Sequence, residues 1–402
     1  EAERFIDRFS KWYTPAVLVL SIIVWIFSKD VELAITILVL GCPGALVIGV
    51  PVSNVSGIGN GARHGVLLKG SEVISDFSRL DTMVFDKTGT LTIGNPQVAE
   101  VEIYTDNKEE VLAYLASVEK ESDHPLAKAV VDRIGEATVY TVDKTDVVKG
   151  GGIVAEVDTH RVAVGNVALM EQENVRLNEK VKADIVRFEE NGNSLVLTSI
   201  DGQLKALMGI RDQIRPGVKE NLQKLKKLGV KNLVVLSGDN QGTVDLVAEE
   251  LGLTQAHGNM LPEDKSAYIK QLQTKGQIVA FVGDGVNDSP SLALAQIGIA
   301  MGSGTDVAIE TSDIVLMNSD FSRLPHALGL TKRTASNMRQ NIIIAVGVVL
   351  VLLASVFFSE WMNMSIGMLV HEASILAVIL NGMRLLRYKL KFWKNENLKR
   401  SN

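Results

Sequence analysis

Cysteine is nearly missing from this 402-residue chain, with Cys42 alone. A disulfide framework is thereby excluded, and the composition fits a reducing compartment. Basic charge is not in excess: 41 Lys and Arg face 47 Asp and Glu, a net charge of −6. That balance offers no footprint for a polyanion, so nucleic acid is excluded as a partner. Repeats and low-complexity tracts are absent. There is neither an initiator Met nor a signal peptide, and further sequence is expected upstream. Aromatic residues reach only 5%, and with 22% charged residues the averages resemble those of a soluble protein. The averages hide a segregation. Almost uncharged stretches at both ends flank a charged, glycine-rich middle.

Four hydrophobic runs make up those ends: Trp12 to Ser28, Leu33 to about Ile58, Asn341 to Ser359, and Trp361 to Met383. The ionisable residues of the last are His371 and Glu372. A helix needs about 20 residues to cross roughly 30 Å of hydrocarbon, so the runs predict two membrane hairpins. Their turns are short, at Ser28-Lys29-Asp30 and near Glu360. Basic residues collect at the other ends. Arg63, His64 and Lys69 follow the second run, Lys332, Arg333 and Arg339 precede the third, and Arg384, Arg387, Lys389 and Lys391 follow the fourth. By the positive-inside rule these flanks and the large loop between the hairpins face the cytoplasm, where ATP is found. A multi-pass cell-membrane protein embedded in lipid is expected.

The large loop reads as α/β. Short apolar strands, Thr82–Asp86, Leu233–Asp239, Ile278–Asp284 and Ile297–Gly302, end in acidic or small residues. Helical patterns at Lys219–Leu228 and Gln241–Leu251 separate them, which predicts a parallel sheet with crossover helices. Between about Val98 and Ile210 the texture changes to two hairpins, Ile153–Val164 and Leu195–Ile210, the second turning on Asp201-Gly202. This is expected to be an inserted domain.

The strongest chemical signal is Asp86-Lys87-Thr88-Gly89-Thr90-Leu91-Thr92, at the C-terminal end of a strand. Open parallel sheets bind ligands there, and an aspartate so placed can attack a phosphoryl group to form an acyl phosphate. Thr88 occupies the position where a phosphatase of this architecture would carry a second Asp as general acid/base. Without that acid, the phospho-intermediate lives long enough to drive a conformational change. In the second hydrophobic run, Gly41-Cys42-Pro43-Gly44 and the later Pro51 predict a broken helix. Such breaks expose carbonyls and aim side chains at a mid-membrane cavity. Cys42 adds a soft ligand. His371 and Glu372 are an ionisable pair within a span, which is costly unless functional.

The run from Asp86 to Thr92 resembles the phosphorylation motif of the P-type ATPases, and the resemblance covers nearly all of the chain. Ser237-Gly238-Asp239 is similar to the family's Thr-Gly-Asp loop, with Ser for Thr. Pro262-Glu263-Asp264-Lys265 resembles the segment of its phosphate-neutralising lysine, and Gly283-Asp284-Gly285-Val286-Asn287-Asp288 its magnesium loop. The resemblance implies Asp86 as nucleophile and Mg²⁺ held by Asp86, Thr88, Asp284 and Asp288. Lys265 and the Ser237 hydroxyl would stabilise charge on the transferring group, within a loop completed by Gly238 and Asp239. Asn287 and Asp288 would hold the magnesium loop.

Within that family the chain resembles the heavy-metal subclass. Ser122-Asp123-His124-Pro125 is similar to its Ser-Glu-His-Pro element, Gly150-Gly151-Gly152 to its Gly-x-Gly loop, and Gly165-Asn166 also fits. This implies a nucleotide site of Glu119, His124, Gly150, Gly152 and Asn166. Cys-Pro-Gly departs from the subclass's Cys-Pro-Cys, Cys-Pro-His or Ser-Pro-Cys. With one thiolate fewer, a purely sulfur Cu(I) site is disfavoured. His371-Glu372-Ala373-Ser374 resembles the His-Glu-Gly element of members that move divalent ions. Cys42, His371 and Glu372 together suit Zn²⁺ or Cd²⁺ first, then Co²⁺ or Fe²⁺.

The resemblance thus implies a multi-pass α-helical membrane domain plus a cytoplasmic dehalogenase-like α/β phosphorylation domain, with an inserted α+β nucleotide-binding domain. Residues 1–60 and 333–390 are expected to form the hairpins, 61–97 and 211–332 the phosphorylation domain, 98–210 the nucleotide domain and 391–402 a cytoplasmic tail. ATP, Mg²⁺ and a transported divalent metal are the implied cofactors and cargo. An actuator domain with a Thr-Gly-Glu loop, lacking here, is expected upstream. A membrane-anchored dehalogenase-like phosphatase and a metal sensor without transport are the alternatives.

Overall fold

The computed structural model describes residues 2–122, 125–148, 150–285, 288–302, 304–358 and 363–390. Helices α1 (Ala2–Ser28), α2 (Val31–Leu40) and α3 (Gly44–Arg63) come first, then strand β1 (Val66–Leu68), α4 (Ser71–Ser78) and β2 (Thr82–Asp86). Next are β3 (Thr92–Ile103), α5 (Lys108–Glu119), α6 (Pro125–Ile134), β4 (Val142–Val148), β5 (Gly152–Val157) and β6 (His160–Gly165). Helices α7 (Val167–Gln172) and α8 (Glu179–Glu190) lead to β7 (Ser194–Ile200) and β8 (Gln203–Ile214). An alternating stretch follows: α9 (Val218–Lys227), β9 (Asn232–Leu236), α10 (Gln241–Leu251), β10 (Gln255–His257), α11 (Pro262–Thr274) and β11 (Val279–Gly283). The order ends with α12 (Ser289–Leu294), β12 (Ile297–Met301), α13 (Asp306–Thr311), β13 (Ile314–Leu316), α14 (Arg323–Phe358) and α15 (Met364–Met383).

Two sheets result. The seven-stranded sheet has the order β1-β13-β12-β11-β2-β9-β10. Strands β9 and β10, β11 and β12, and β12 and β13 pair in parallel, while edge strand β1 is antiparallel to β13. This mixed, mainly parallel sheet of Rossmann type holds all four strands expected from the apolar runs. The second sheet has six strands in the order β3-β8-β7-β6-β5-β4, with antiparallel neighbours throughout. By compactness the chain divides into residues 1–83, 220–231 and 269–402 as one unit and 84–219 with 232–268 as the other.

In the first unit, among the described residues, four helical stretches are long and apolar enough to cross a membrane: Arg8–Ser28, Val31–Arg63, Arg323–Phe358 and Met364–Arg387. Their outward faces carry exposed Leu18, Ile22, Ile343, Val351, Leu369 and Leu376, as a lipid solvent favours. The second stretch breaks at Gly41–Pro43, where Pro43 has no N–H to continue the ladder. Helix α3 restarts with Leu46 N–H donating to Pro43 O at 2.9 Å. Pro51, by contrast, lies inside unbroken α3, so only the first proline ends a helix. Helix α14 also starts well before the apolar run at Asn341. The turn expected near Glu360 lies outside the described residues.

Small and amide residues join α3, α14 and α15. Cβ atoms added at Gly49 and Gly57 would meet Asn341 Cβ at 3.0 Å and Thr334 Oγ1 at 2.5 Å. Asn341 Nδ2 donates to Gly49 O (2.9 Å), Ser53 Oγ (3.0 Å) and Val378 O (3.2 Å), and Asn381 Nδ2 donates to Asn341 Oδ1 at 2.9 Å. Within hydrocarbon such bonds satisfy groups that have no water to turn to.

In the second unit, alternation along the six strands serves two cores. Ile153, Ala155 and Val157 pack with Tyr114, Leu115 and Val118 of α5 and Val130 of α6. Val154 on the opposite face packs with Leu169 and Met170 of α7 and Ile185 and Phe188 of α8. Both expected hairpins are present, and the β7–β8 turn places Asp201 at φ 47° and Gly202 at φ 75°.

Candidate functional site

Every residue of β2 is buried, and the strand ends on Asp86, itself 7% exposed. The chain then turns sharply through Gly89, at φ 74°. That turn is clamped from the end of β8. Arg215 donates through Nε to Thr92 O at 2.9 Å and through its terminal nitrogen to Gly89 O at 2.8 Å. The Asp212 carboxylate accepts from Gly94 N–H (3.0 Å) and Asn95 N–H (3.1 Å), and the Thr92 hydroxyl contacts it too. The loop that follows Asp86 is thus held by fixed partners rather than by solvent.

Two buried ammonium groups serve this loop. Lys265, in the first turn of α11, places Nζ 2.6 Å from Asp86 Oδ1. Lys87 pairs with Asp239 in the loop after β9. There the Asp239 N–H donates to Ser237 Oγ at 3.1 Å, while Ser237 donates its own N–H to His257 O at 3.0 Å. Gly238 takes the turn between them. Thr88 is exposed and, with Lys87 and Asp239, lines a cleft of about 480 Å³ that reaches Arg211, Asp212 and Gly192. That volume lies within the range of ligand pockets. Its walls hold Lys87, next along the chain from Asp86, with Arg211 and the hydroxyls of Thr88, Ser194 and Thr243, together with the carboxylates of Asp212, Asp239 and Glu250. Lys87, Asp212 and Arg215 were not singled out from the sequence. The charged stretch Arg211–Arg215, where the inserted region returns to the sheet, was the available signal.

Asp284 follows β11, and its carbonyl accepts from Thr305 N–H at 3.0 Å. Asp288 is 2% exposed at the start of α12. Both offer hard oxygen donors of the kind Mg²⁺ takes. Asn287 and His124 lie outside the described residues.

The expected nucleotide residues are brought together in part. Asn166 donates Nδ2 to Gly150 O at 2.8 Å and caps α7 by accepting from Leu169 N–H at 3.0 Å. Gly152 pairs with Gly165 across β5 and β6 at φ 146°, where a side chain would strike the β6 backbone. Glu119 ends α5 at 7% exposure, and burial raises its carboxyl to about 7. None of these four residues lines the large cleft.

In the membrane helices, α15 buries Gly367, His371, Ser374, Val378 and Gly382, spaced three and four apart. His371 is 8% exposed, and a Cβ on Gly44 would lie 3.2 Å from its Nε2. It therefore sits against the Cys42-Pro43-Gly44 break. Glu372 falls off the buried stripe and is exposed, and so is Cys42. Among the described residues, Cys42, His371 and Glu372 do not gather as a three-ligand group.

Comparison with known proteins agrees with this geometry. The haloacid dehalogenase-like hydrolase family matches residues 80–296. A zinc-exporting P-type ATPase of Mycobacterium marinum is 38% identical over 96% of this chain and 53% of its own length. A manganese-exporting P-type ATPase of Mycobacterium tuberculosis is 37% identical over 96% and 54%. The crystal structure of a zinc-transporting PIB-type ATPase in its E2.Pi state superposes with a TM-score of 0.83 at 34% identity, covering 95% of this chain and 64% of that one. The chain spans about half the length of the curated relatives it matches. On the sheet, the Asp86 loop and these matches, the chain belongs to the haloacid dehalogenase-like hydrolases, in the branch of the P-type ATPases.

Proposed function

We propose that this chain forms the phosphorylation, nucleotide and ion-pathway parts of an ATP-driven exporter of a divalent transition metal. The observation that carries the reading is the buried Asp86 carboxylate, ion-paired to Lys265 at 2.6 Å, with Thr88 and no second Asp two residues on. Asp86 attacks the γ-phosphorus of ATP, the bond to the bridging oxygen breaks, and ADP leaves. Lys265 and Ser237 offset the charge on the phosphoryl oxygens, and Lys87 holds the Asp239 loop. Asp86, Asp284, Asp288 and the Thr88 backbone would hold Mg²⁺, which supplies charge neutralisation when bound. Gly150, Gly152 and Asn166 shape a backbone cradle for nucleotide, with Glu119 beside α6.

The transported cation is assigned to Cys42 at the helix break and to the His371–Glu372 pair, of which His371 is the inward member. One thiolate with imidazole and carboxylate is borderline in softness, which supports Zn²⁺ or Cd²⁺ before Co²⁺ or Fe²⁺. The manganese-exporting relative adds a harder ion to test. Hydrolysis of the phospho-intermediate is assigned to an actuator domain elsewhere in the intact protein. Asp86→Asn is expected to abolish acid-stable labelling from γ-labelled ATP. Persistence of that label in the variant excludes the reading.

A further inference from the structure

One face of α1 is set by residues four apart: Phe9, Tyr13, Val17 and Ser21. Ser21 Oγ donates to Ala34 O at 2.7 Å, and Val17 packs on Gly41, where an added Cβ would lie 2.6 Å from Val17 Cγ1. The face therefore follows α2 toward the break and brings Tyr13 to Pro43. Tyr13 lines a small cavity of about 10 Å³ with Phe9, Pro43, Leu46 and Val349. The Tyr13 hydroxyl is buried there without a hydrogen-bond partner. Cys42 lies between Gly41, which packs on Val17, and Pro43, which lines the cavity with Tyr13.

A second group repeats the pattern from another helix. His371 Nδ1 is also buried without a partner, on a ring seated against Gly44. Two unsatisfied polar atoms, from α1 and α15, thus flank the same break. In hydrocarbon an unmade hydrogen bond is costly and is kept where a ligand makes it. The cavity has room for about one water and is otherwise apolar, so it suits neither nucleotide nor lipid.

We infer that Tyr13 is a positioning residue of the cation site, donating its hydroxyl hydrogen to the Cys42 thiolate when a divalent cation is bound. Such outer partners orient a thiolate and tune its affinity, and their loss typically lowers metal affinity about 10–100-fold. This inference rests on the transport reading above. The test is Tyr13→Phe in the intact pump, which keeps the ring and deletes only the unsatisfied hydroxyl. Zn²⁺ dependence of phosphoenzyme formation from ATP is read against metal-free thermal stability.

The expected result is a half-saturating Zn²⁺ concentration raised about tenfold, with maximal phosphoenzyme unchanged and metal-free stability equal or higher. The absorption from thiolate to bound Co²⁺ should shift as well. Phe9→Leu, which alters the same cavity without a polar atom, should move neither quantity. A half-saturating concentration within twofold of wild type in Tyr13→Phe, or an equal shift in Phe9→Leu, overturns the role of Tyr13. Absence of any Zn²⁺ dependence in the wild type overturns the transport reading instead.

Discussion

At the scale of single residues, the proposed function separates a phosphatase from a pump at position 88. Thr88 is exposed at the cleft, so its replacement needs no repacking. Thr88→Asp is expected to supply the missing general acid/base and shorten the lifetime of the aspartyl phosphate by at least about tenfold, read by chasing label with unlabelled ATP. Glu119 gives a pH signature. Burial raises its carboxyl from 4.5 to about 7, so the folded state holds a proton that the unfolded chain releases. The sign follows: stability falls as pH rises from 4.5 toward 7, by about 3 kcal/mol in all. Glu119→Gln should flatten that dependence and raise the melting temperature near pH 8 while changing it little near pH 5. Asp86 and Lys265 were legible because each sits in a short local motif. The pairing of Lys87 with Asp239 was not, because the two loops meet only once β2 and β9 take their places in the sheet.

At the scale of elements, spacing in the sequence located the strands and hairpins well, because periods of two and turn residues act locally. The Pro43 break was legible for the same reason. Pro51 was not separable from it by residue type alone. One proline follows Gly41 and Cys42 at a junction, while the other sits in a helix held by Ser53, Asn341 and Asn337. The helix phase of α15 separates His371 from Glu372, which adjacency in the sequence concealed. The stripe from Gly367 to Gly382 shows which of the pair turns inward. Close packing of α3 on α14 is testable at Gly57, where an added Cβ would lie 2.5 Å from Thr334 Oγ1 and 2.9 Å from its Cγ2. Gly57→Val should destabilise the helix bundle by about 1–3 kcal/mol, seen as a lower unfolding temperature in detergent.

At the scale of the whole molecule, the proposed function joins phosphorylation of Asp86 to cation binding at the Cys42-Pro43-Gly44 break. The architecture of both parts was legible from composition, since charge segregates apolar ends from an α/β middle. The identity of the cargo was not, because ligand softness ranks metals without fixing geometry. The most direct measurement is acid-stable phosphoenzyme formed from γ-labelled ATP by the intact protein, with and without Zn²⁺, compared between wild type and Cys42→Ala. The account predicts Zn²⁺-dependent label in the wild type and its loss in Cys42→Ala, while phosphorylation by inorganic phosphate without metal persists. Label of equal amount with and without metal in both proteins would contradict it.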